Sequence, residues 1–144
     1  MKRRLTIIIE REGDGYVTLC PKLDIASQGD TAEEARNNLR EALELFFETA
    51  SPAEVSRRLS GEDCAEPAEI VFSELRVLSS REVCDILGRH GFDEERRRNH
   101  IIIMKRQDAD GTTKVAVPDH KELRIGTLRA IIRQSGVPRG EFEA

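Results

Sequence analysis

The residues of this sequence best suited to chemistry lie in one short segment, Arg96-Arg97-Arg98-Asn99-His100. Arginine guanidinium groups carry planar donors that fit phosphate oxygens, and histidine exchanges protons near neutral pH. Together the two residue types can bind a phosphodiester and transfer the protons that its cleavage requires. The alternative interpretation is a histidine at a strand edge, next to a solvated run of charge.

The pattern around this segment predicts that His100 opens a β-strand that continues to Lys105. If Ile101 and Ile103 point into the core, alternation of strand side chains places His100 and Ile102 on the opposite face. Neighbouring strands are predicted over 93–97 and 113–117, with Asp110-Gly111 as the turn before the last strand.

Two amphipathic helices are predicted to flank these strands. Ser79 and Glu82 form a capping box at the start of the first helix, and Gly91 ends it. The second helix runs over 125–135 and stops at Gly136. The order α-β-β-β-α is that of a double-stranded-RNA-binding-type (dsRBD-like) domain, in which two helices cover one face of the sheet and the other face is free.

The first half of the chain predicts a second small α+β unit. Two strands, 3–12 and 15–20, surround the hairpin signal Glu12-Gly13-Asp14-Gly15, and a short third strand is predicted near 26–28. A helix capped by Asp30 or Thr31 follows, and then a shorter one that begins at Ser51 and ends at Gly61. The predicted domains are residues 1–61 and 79–144, joined by a linker over 62–78 with a possible last strand at 70–72.

The two halves differ in charge. Residues 1–78 hold 10 Lys and Arg against 16 Asp and Glu, a net charge of −6, whereas residues 79–144 hold 13 against 11, a net charge of +2. An acidic half joined to a basic half is expected if the first covers a polyanion-binding face of the second. Two solvated surfaces of slightly different composition would give the same counts.

Composition excludes several other classes of protein. Without Trp and with 4% aromatic residues, the chain has no platform on which single-stranded bases stack, as RRM and OB modules do. Cys20, Cys64 and Cys84 are too widely spaced to indicate a disulfide framework, and no ligand spacing predicts a metal or another cofactor. The apolar run that starts the chain stops at Glu10, which predicts a strand rather than a signal peptide, so we expect a cytoplasmic protein without a membrane span.

Four segments of the second half together resemble the HicA mRNA-interferase toxin family. They are Ser79 to Phe92, Arg96 to Met104, Val115 to His120 and Leu123 to Gly136. The family shows Gly-Phe after the first helix, Gly-Ser-His at a strand start, then Val-Pro-x-His and Gly-Thr-Leu-Arg. Here the Gly-Ser-His motif reads Arg98-Asn99-His100, so the histidine is kept while the glycine and the hydroxyl are replaced.

Residues 1–61 resemble the HicB antitoxin family. The matching segments are the hairpin, the passage Ser27-Gln28-Gly29-Asp30-Thr31, and the run from Glu41 to Phe46. This resemblance implies a partial RNase-H-like fold that covers the toxin. HicB proteins commonly carry a DNA-binding segment after this fold; residues 62–78 leave no room for one, so binding of operator DNA is not expected.

The two resemblances imply a fused antitoxin and toxin of type II, with metal-independent cleavage of RNA. His100 is the implied catalytic residue, and His120 is the candidate for the second proton transfer. The residues implied to contact RNA are Arg96, Arg97, Arg98, Asn99 and Lys105. The partners implied are therefore mRNA and the antitoxin half of the same chain or, because the linker is short, of a second chain in a homodimer.

Two other interpretations remain open from the sequence. In one, the exchange to Arg98 and Asn99 has removed the chemistry and the domain only binds RNA. In the other, the fusion is purely structural and the RNA face stays buried.

Overall fold

The computed structural model describes residues 4–59, 75–109 and 111–143. These residues form two three-stranded antiparallel sheets and four α-helices, which is the α+β class predicted from the sequence. The strand predicted at 70–72 lies outside the described residues. No helix in the described ranges is both long enough and apolar enough to cross a membrane.

The first unit is a β-hairpin extended by a third strand and covered by a long helix. The hairpin turn places Gly13 at a φ of 61°, a conformation that glycine adopts without strain. Thr31 caps the long helix by accepting a hydrogen bond from the backbone N–H of Glu34. The elements are β1 (Ile8–Glu12), β2 (Gly15–Cys20), β3 (Ile25–Gly29), α1 (Ala32–Thr49) and α2 (Pro52–Leu59).

The second unit has the predicted α-β-β-β-α order. The capping box of Ser79 and Glu82 is present, and Gly91 and Gly136 follow the two helices with positive φ angles, as predicted. The elements are α3 (Ser80–Arg89), β4 (Asp93–Arg98), β5 (Ile101–Asp108), β6 (Gly111–Pro118) and α4 (Ile125–Ser135), followed by a 3-10 turn over Arg139–Phe142.

The second unit has an apolar core of its own between its sheet and its helices. Ile102 and Met104 of β5 and Val115 and Val117 of β6 face this core. Leu75 and Leu78, which precede α3, pack there as well. The remaining buried members come from α3, α4, the loops before β4 and α4, and the end of the described chain: Val83, Ile86, Leu87, Phe92, Leu123, Leu128, Ile131, Val137 and Phe142.

The opposite face of this sheet is not free, because the first unit covers it. Ile101, Ile103 and Ala116 belong to one buried cluster with α1 side chains such as Leu39 and Phe46. The predictions that Ile101 and Ile103 face the core of their own domain and that one sheet face is free are therefore wrong. The physical reason is visible in β5 itself, because its run of Ile and Met is apolar on both faces, a pattern typical of a strand buried on both sides.

Helix α2 covers the outer edge of β6, which would otherwise leave unpaired backbone groups. The backbone N–H of Lys114 donates to Glu54 at 2.9 Å. The carbonyls of Thr112 and Lys114 accept from Arg57 and Arg58, each at 2.8 Å. Side chains of the first unit thus satisfy a strand edge of the second, so the two units share polar as well as apolar contacts.

Candidate functional site

The structure brings the two histidines singled out in the sequence together. His100 lies in the turn between β4 and β5, and His120 follows the end of β6. Their rings are nearly parallel, with centroids 6.4 Å apart and an angle of 23° between the planes. The backbone N–H of Asp119 donates to the His100 carbonyl at 2.7 Å, which fixes the two turns against each other.

The two imidazoles have different environments. His100 is exposed, whereas His120 is half-buried. Burial lowers the pKa of His120, and a positive charge on His100 lowers it further, against an opposing effect of Asp119. The Nε2 atom of His120 is buried without a hydrogen-bond partner. A neutral His120 therefore carries a ring nitrogen with no protein group on it, as a proton acceptor requires.

Asp119 holds the surroundings of this pair in place. One carboxylate oxygen accepts from the Ser80 hydroxyl at 2.9 Å, and the other accepts from Arg97 at 3.0 Å. The carboxylate thus connects the start of α3 with the arginine cluster on β4. The sequence interpretation did not assign Asp119 a role, although the Val-Pro-x-His pattern contains it.

The three arginines lie beside the histidine turn, and two of them are paired with the first unit. Glu48 of α1 accepts from Arg98 at 2.5 and 3.1 Å and from Arg96 at 3.4 Å. Hydrogen bonding from Arg98 lowers the pKa of the Glu48 carboxyl group. The pairs are exposed, so each contributes little to stability. What matters is where the Glu48 carboxylate lies, because it occupies guanidinium N–H donors of Arg96 and Arg98 that could otherwise bind a phosphate.

Two other residues were predicted to contact RNA: Asn99 lies next to His100, and Lys105 lies far from it. Asn99 occupies the turn with a φ of 46°, and β5 begins only at Ile101. The prediction that His100 opens the strand is therefore wrong, since the turn takes two residues. Lys105 lies five residues further along, about 16 Å away by strand geometry, where it is paired with Asp93. The structure thus separates Lys105 from the histidine pair.

Arg124 and Glu12 also lie where the two units meet, and no sequence motif indicated a function for either residue. The guanidinium group of Arg124 donates to the Glu12 carbonyl at 2.7 Å, across the two units. The backbone N–H groups of Ile125 and Gly126 donate to the Glu12 carboxylate at 2.9 and 3.0 Å. In sequence, Glu12 indicates only a hairpin and Arg124 only a position before a helix.

Acid should weaken the docking of the two units. The lowered pKa of His120 means that folding favours its neutral form, so stability should fall as the pH drops below the ordinary value of 6.5. The lowered pKa values of Glu48 and Asp14 mean that stability present above their ordinary values of 4.5 and 3.8 is lost as the pH falls through the depressed values. Urea denaturation at pH 7, 5.5 and 3 measures both steps.

A His120→Gln variant is the control for this pH dependence. It should reduce the change in the urea midpoint between pH 7 and 5.5 and leave the carboxylate step below pH 4.5 in place. An unfolding midpoint that is constant from pH 7 to 5.5 in the unsubstituted chain would contradict the expectation.

Comparison with known proteins defines the class of the second unit. Residues 80–137 match the model of the family described as "HicA toxin of bacterial toxin-antitoxin". This range runs from the first residue of α3 to just past α4 and includes both histidines and all three arginines. The segment is a HicA toxin-type domain with a dsRBD-like α+β fold.

Two curated relatives place the chain in a second family. It is 50% identical over 46 residues to the UPF0150 protein ssr1765 of Synechocystis, which is 31% of this chain and 58% of that protein. It is 46% identical over 50 residues to the UPF0150 protein ssl0738 of the same organism, which is 33% of this chain and 69% of that protein. The chain belongs to the UPF0150 family.

Proposed function

We propose that this protein is a latent RNA endonuclease of the mRNA-interferase type, whose N-terminal unit acts as a covalently attached antitoxin. The observation that carries the proposal is the pair His100 and His120, 6.4 Å apart next to an arginine cluster, in a HicA toxin-type domain. The pair supplies two proton-transfer groups, and the cluster supplies cations for a phosphodiester.

The proposed reaction is cleavage of the RNA backbone by its own 2′-hydroxyl group. Neutral His120 takes the proton from the 2′-oxygen, which attacks phosphorus. The bond from phosphorus to the 5′-oxygen breaks, and protonated His100 gives its proton to the leaving oxygen. The products are a 2′,3′-cyclic phosphate and a 5′-hydroxyl end. Arg96, Arg97 and Arg98 stabilise the extra negative charge on the phosphoryl oxygens, with Asn99 on the RNA backbone beside them.

Inhibition by the first unit rests on two features of the interface. Glu48 forms ion pairs with Arg96 and Arg98, so its carboxylate lies where a phosphate of the RNA would bind. The apolar side chains of α1 cover the sheet face that carries Ile101, Ile103 and Ala116. The match to the UPF0150 family supports an antitoxin-like origin for part of this chain, with the partial RNase-H-like fold of HicB proteins as its proposed architecture.

A binding module without catalysis is the second candidate function. The observation that favours it is the turn itself, where Arg98 and a positive-φ Asn99 stand in place of the small residues of the toxin motif. In this second candidate function the arginines bind double-stranded RNA and the histidines transfer no protons.

The deciding experiment compares the full-length chain with a fragment of residues 75–144, which retains the whole apolar core of the second unit. Under the proposal, the fragment arrests growth when expressed and cleaves RNA in vitro, while the full-length chain does neither. RNA binding without cleavage by the folded fragment would leave the binding module as the function. Ends carrying a 2′,3′-cyclic phosphate, detected by mass spectrometry, would support the proposed chemistry.

The same comparison addresses the partner of the antitoxin unit. We propose that covering takes place within one chain, as the contacts of Glu48 and Glu54 are arranged here. The homodimer and the exchanged arrangement predicted from the short linker stay predictions. Light scattering of the full-length protein at two concentrations distinguishes a monomer from an exchanged dimer.

A further inference from the structure

Strand β4 is an edge of the second sheet with which no other described strand pairs on the outer side. The strand order is β4-β5-β6, and the described part of the chain adds nothing to the sheet beyond β4. The opposite edge, β6, is covered by side chains of α2. Five of the six residues of β4 are exposed, and the sixth, Arg98, is partly buried. An exposed strand edge can pair with a strand of another chain unless its side chains prevent this.

The side chains of β4 favour pairing with a second copy of the same strand. The run Asp93-Glu94-Glu95-Arg96-Arg97-Arg98 has three acidic residues followed by three basic ones. Two copies that lie antiparallel, centred between the acidic and the basic half, place every acid opposite an arginine. Parallel pairing would place like charges opposite each other, which is destabilising. The strand is therefore charge-complementary to itself in the antiparallel orientation.

A β-bulge in β4 brings the matched charges onto the same face of the sheet. Side chains that oppose each other in an antiparallel pair share a face, and neighbours along a regular strand alternate. In a regular strand Glu94 and Arg97, three positions apart, would therefore point to opposite faces. The register against β5 shifts between Glu94 and Arg96. As a result Glu94 and Arg97 pair with two residues of β5 that both face the core of the second unit, and their side chains lie 2.8 Å apart.

We propose that β4 is a self-association surface through which two copies of this chain form a symmetric dimer. Each pair of an acid and an arginine then occurs twice, because both copies contribute the same surface. Glu94 of one copy meets Arg97 of the other on the helix-covered face, and Asp93 meets Arg98 on the face toward the first unit. A six-residue edge buries less surface than a stable interface requires, so the dimer should be weak and depend on charge.

The dimer would give the arginine cluster a second acidic partner. Arg96 and Arg98 pair with Glu48 of the first unit, whereas Arg97 contacts Glu94 and Asp119 within its own unit. In the dimer, Glu94 of the second copy also reaches Arg97. Competition between this contact and an RNA phosphate rests on the proposed function, but the interface itself does not require that function.

The first test is sedimentation velocity of the full-length chain at increasing protein concentration. We expect a monomer–dimer equilibrium in about 0.05 M NaCl and a monomer in about 1 M NaCl, where the screening length is about 3 Å. Glu94→Arg should weaken dimerisation about tenfold or more, because it makes two attractive pairs of the symmetric interface repulsive. A monomer at every concentration in low salt overturns the proposal. So does a dimer that persists in high salt and on dilution, as expected of two chains that have exchanged units.

A charge exchange between two variants tests the pairing itself. Arg97→Glu alone should also fail to dimerise, and an equimolar mixture with Glu94→Arg should form a heterodimer, because positions 94 and 97 then again oppose each other with opposite charge. Glu10→Arg makes the same charge change on the edge strand of the first sheet and should leave dimerisation unchanged.

Circular dichroism checks that each variant is folded. An absence of heterodimer in a mixture of the two folded variants refutes the pairing of Glu94 with Arg97. If Arg97→Glu does not fold, because it loses its contact with Asp119, the responses to salt and to Glu94→Arg decide. Dimerisation that Glu94→Arg leaves unchanged places the interface elsewhere and overturns the proposal, whether or not the protein cleaves RNA.

Discussion

Replacing His100 with alanine should lower the rate of RNA cleavage by the fragment of residues 75–144 by a factor of about 10² to 10⁴, the contribution of one general acid or base. His100 is exposed, so the loss should leave the stability of the fragment nearly unchanged. The measurement is initial cleavage rate on a defined RNA under single-turnover conditions, with circular dichroism as the check on folding.

Three further variants test whether the loss of cleavage in His100→Ala is specific to this histidine. His90→Ala removes a histidine at the end of α3, where its ring lies 3.5 Å from Glu141, and should leave cleavage intact. His120→Ala should lower the rate to a similar extent as His100→Ala, and the double variant should lose little more, because the two groups act in one reaction. Full activity of a folded His100→Ala fragment would remove His100 from the mechanism.

Substituting aspartate for Ala116 should separate the two units and release the activity of the second. Ala116 is fully buried and faces the first unit, while its neighbours Val115 and Val117 face the core of their own unit. An unpaired carboxylate at this position costs about 4 kcal/mol, a factor of about 10³ in the docking equilibrium. The full-length variant should then arrest growth and cleave RNA.

Gln107→Asp is the matched control for this substitution. Position 107 is exposed on β5, where a carboxylate stays solvated, so the units should stay docked and the chain inactive. Combining Ala116→Asp with His100→Ala should abolish the released activity without restoring docking. If the Ala116→Asp variant separates the units, as judged by susceptibility to proteolysis, and RNA is still not cleaved, the binding module becomes the better account.

If the first unit inhibits the second as proposed, the covalent link between them lets individually weak contacts suffice. The ion pairs of Glu48 with Arg96 and Arg98 are exposed and contribute little individually. A tethered partner works at an effective concentration on the order of millimolar for a short flexible link, so modest affinity gives a mostly closed state. The acidic charge of the first half and the basic charge of the second add attraction over the whole surface.

Local signals were sufficient to predict most of the elements. The capping box of Ser79 and Glu82 and the stops at Gly91 and Gly136 are present as expected, because each depends on residues a few positions apart. The α-β-β-β-α order follows from the same signals. The placement of His100 at the start of a strand was wrong by one residue, a boundary that periodicity does not resolve.

Sequence patterns alone thus predict most of the elements, the charge asymmetry and the segment Arg96 to His100 as the place where chemistry would lie. The contacts of His120 with His100, of Glu48 with the arginines and of Glu12 with the start of α4 are visible only in the folded chain. The physical reason is separation along the chain. A hairpin or a cap is encoded by neighbouring residues, whereas Glu12 and Gly126 stand 114 positions apart and meet only because two apolar sheet faces must be buried against the same helix α1 and its neighbours.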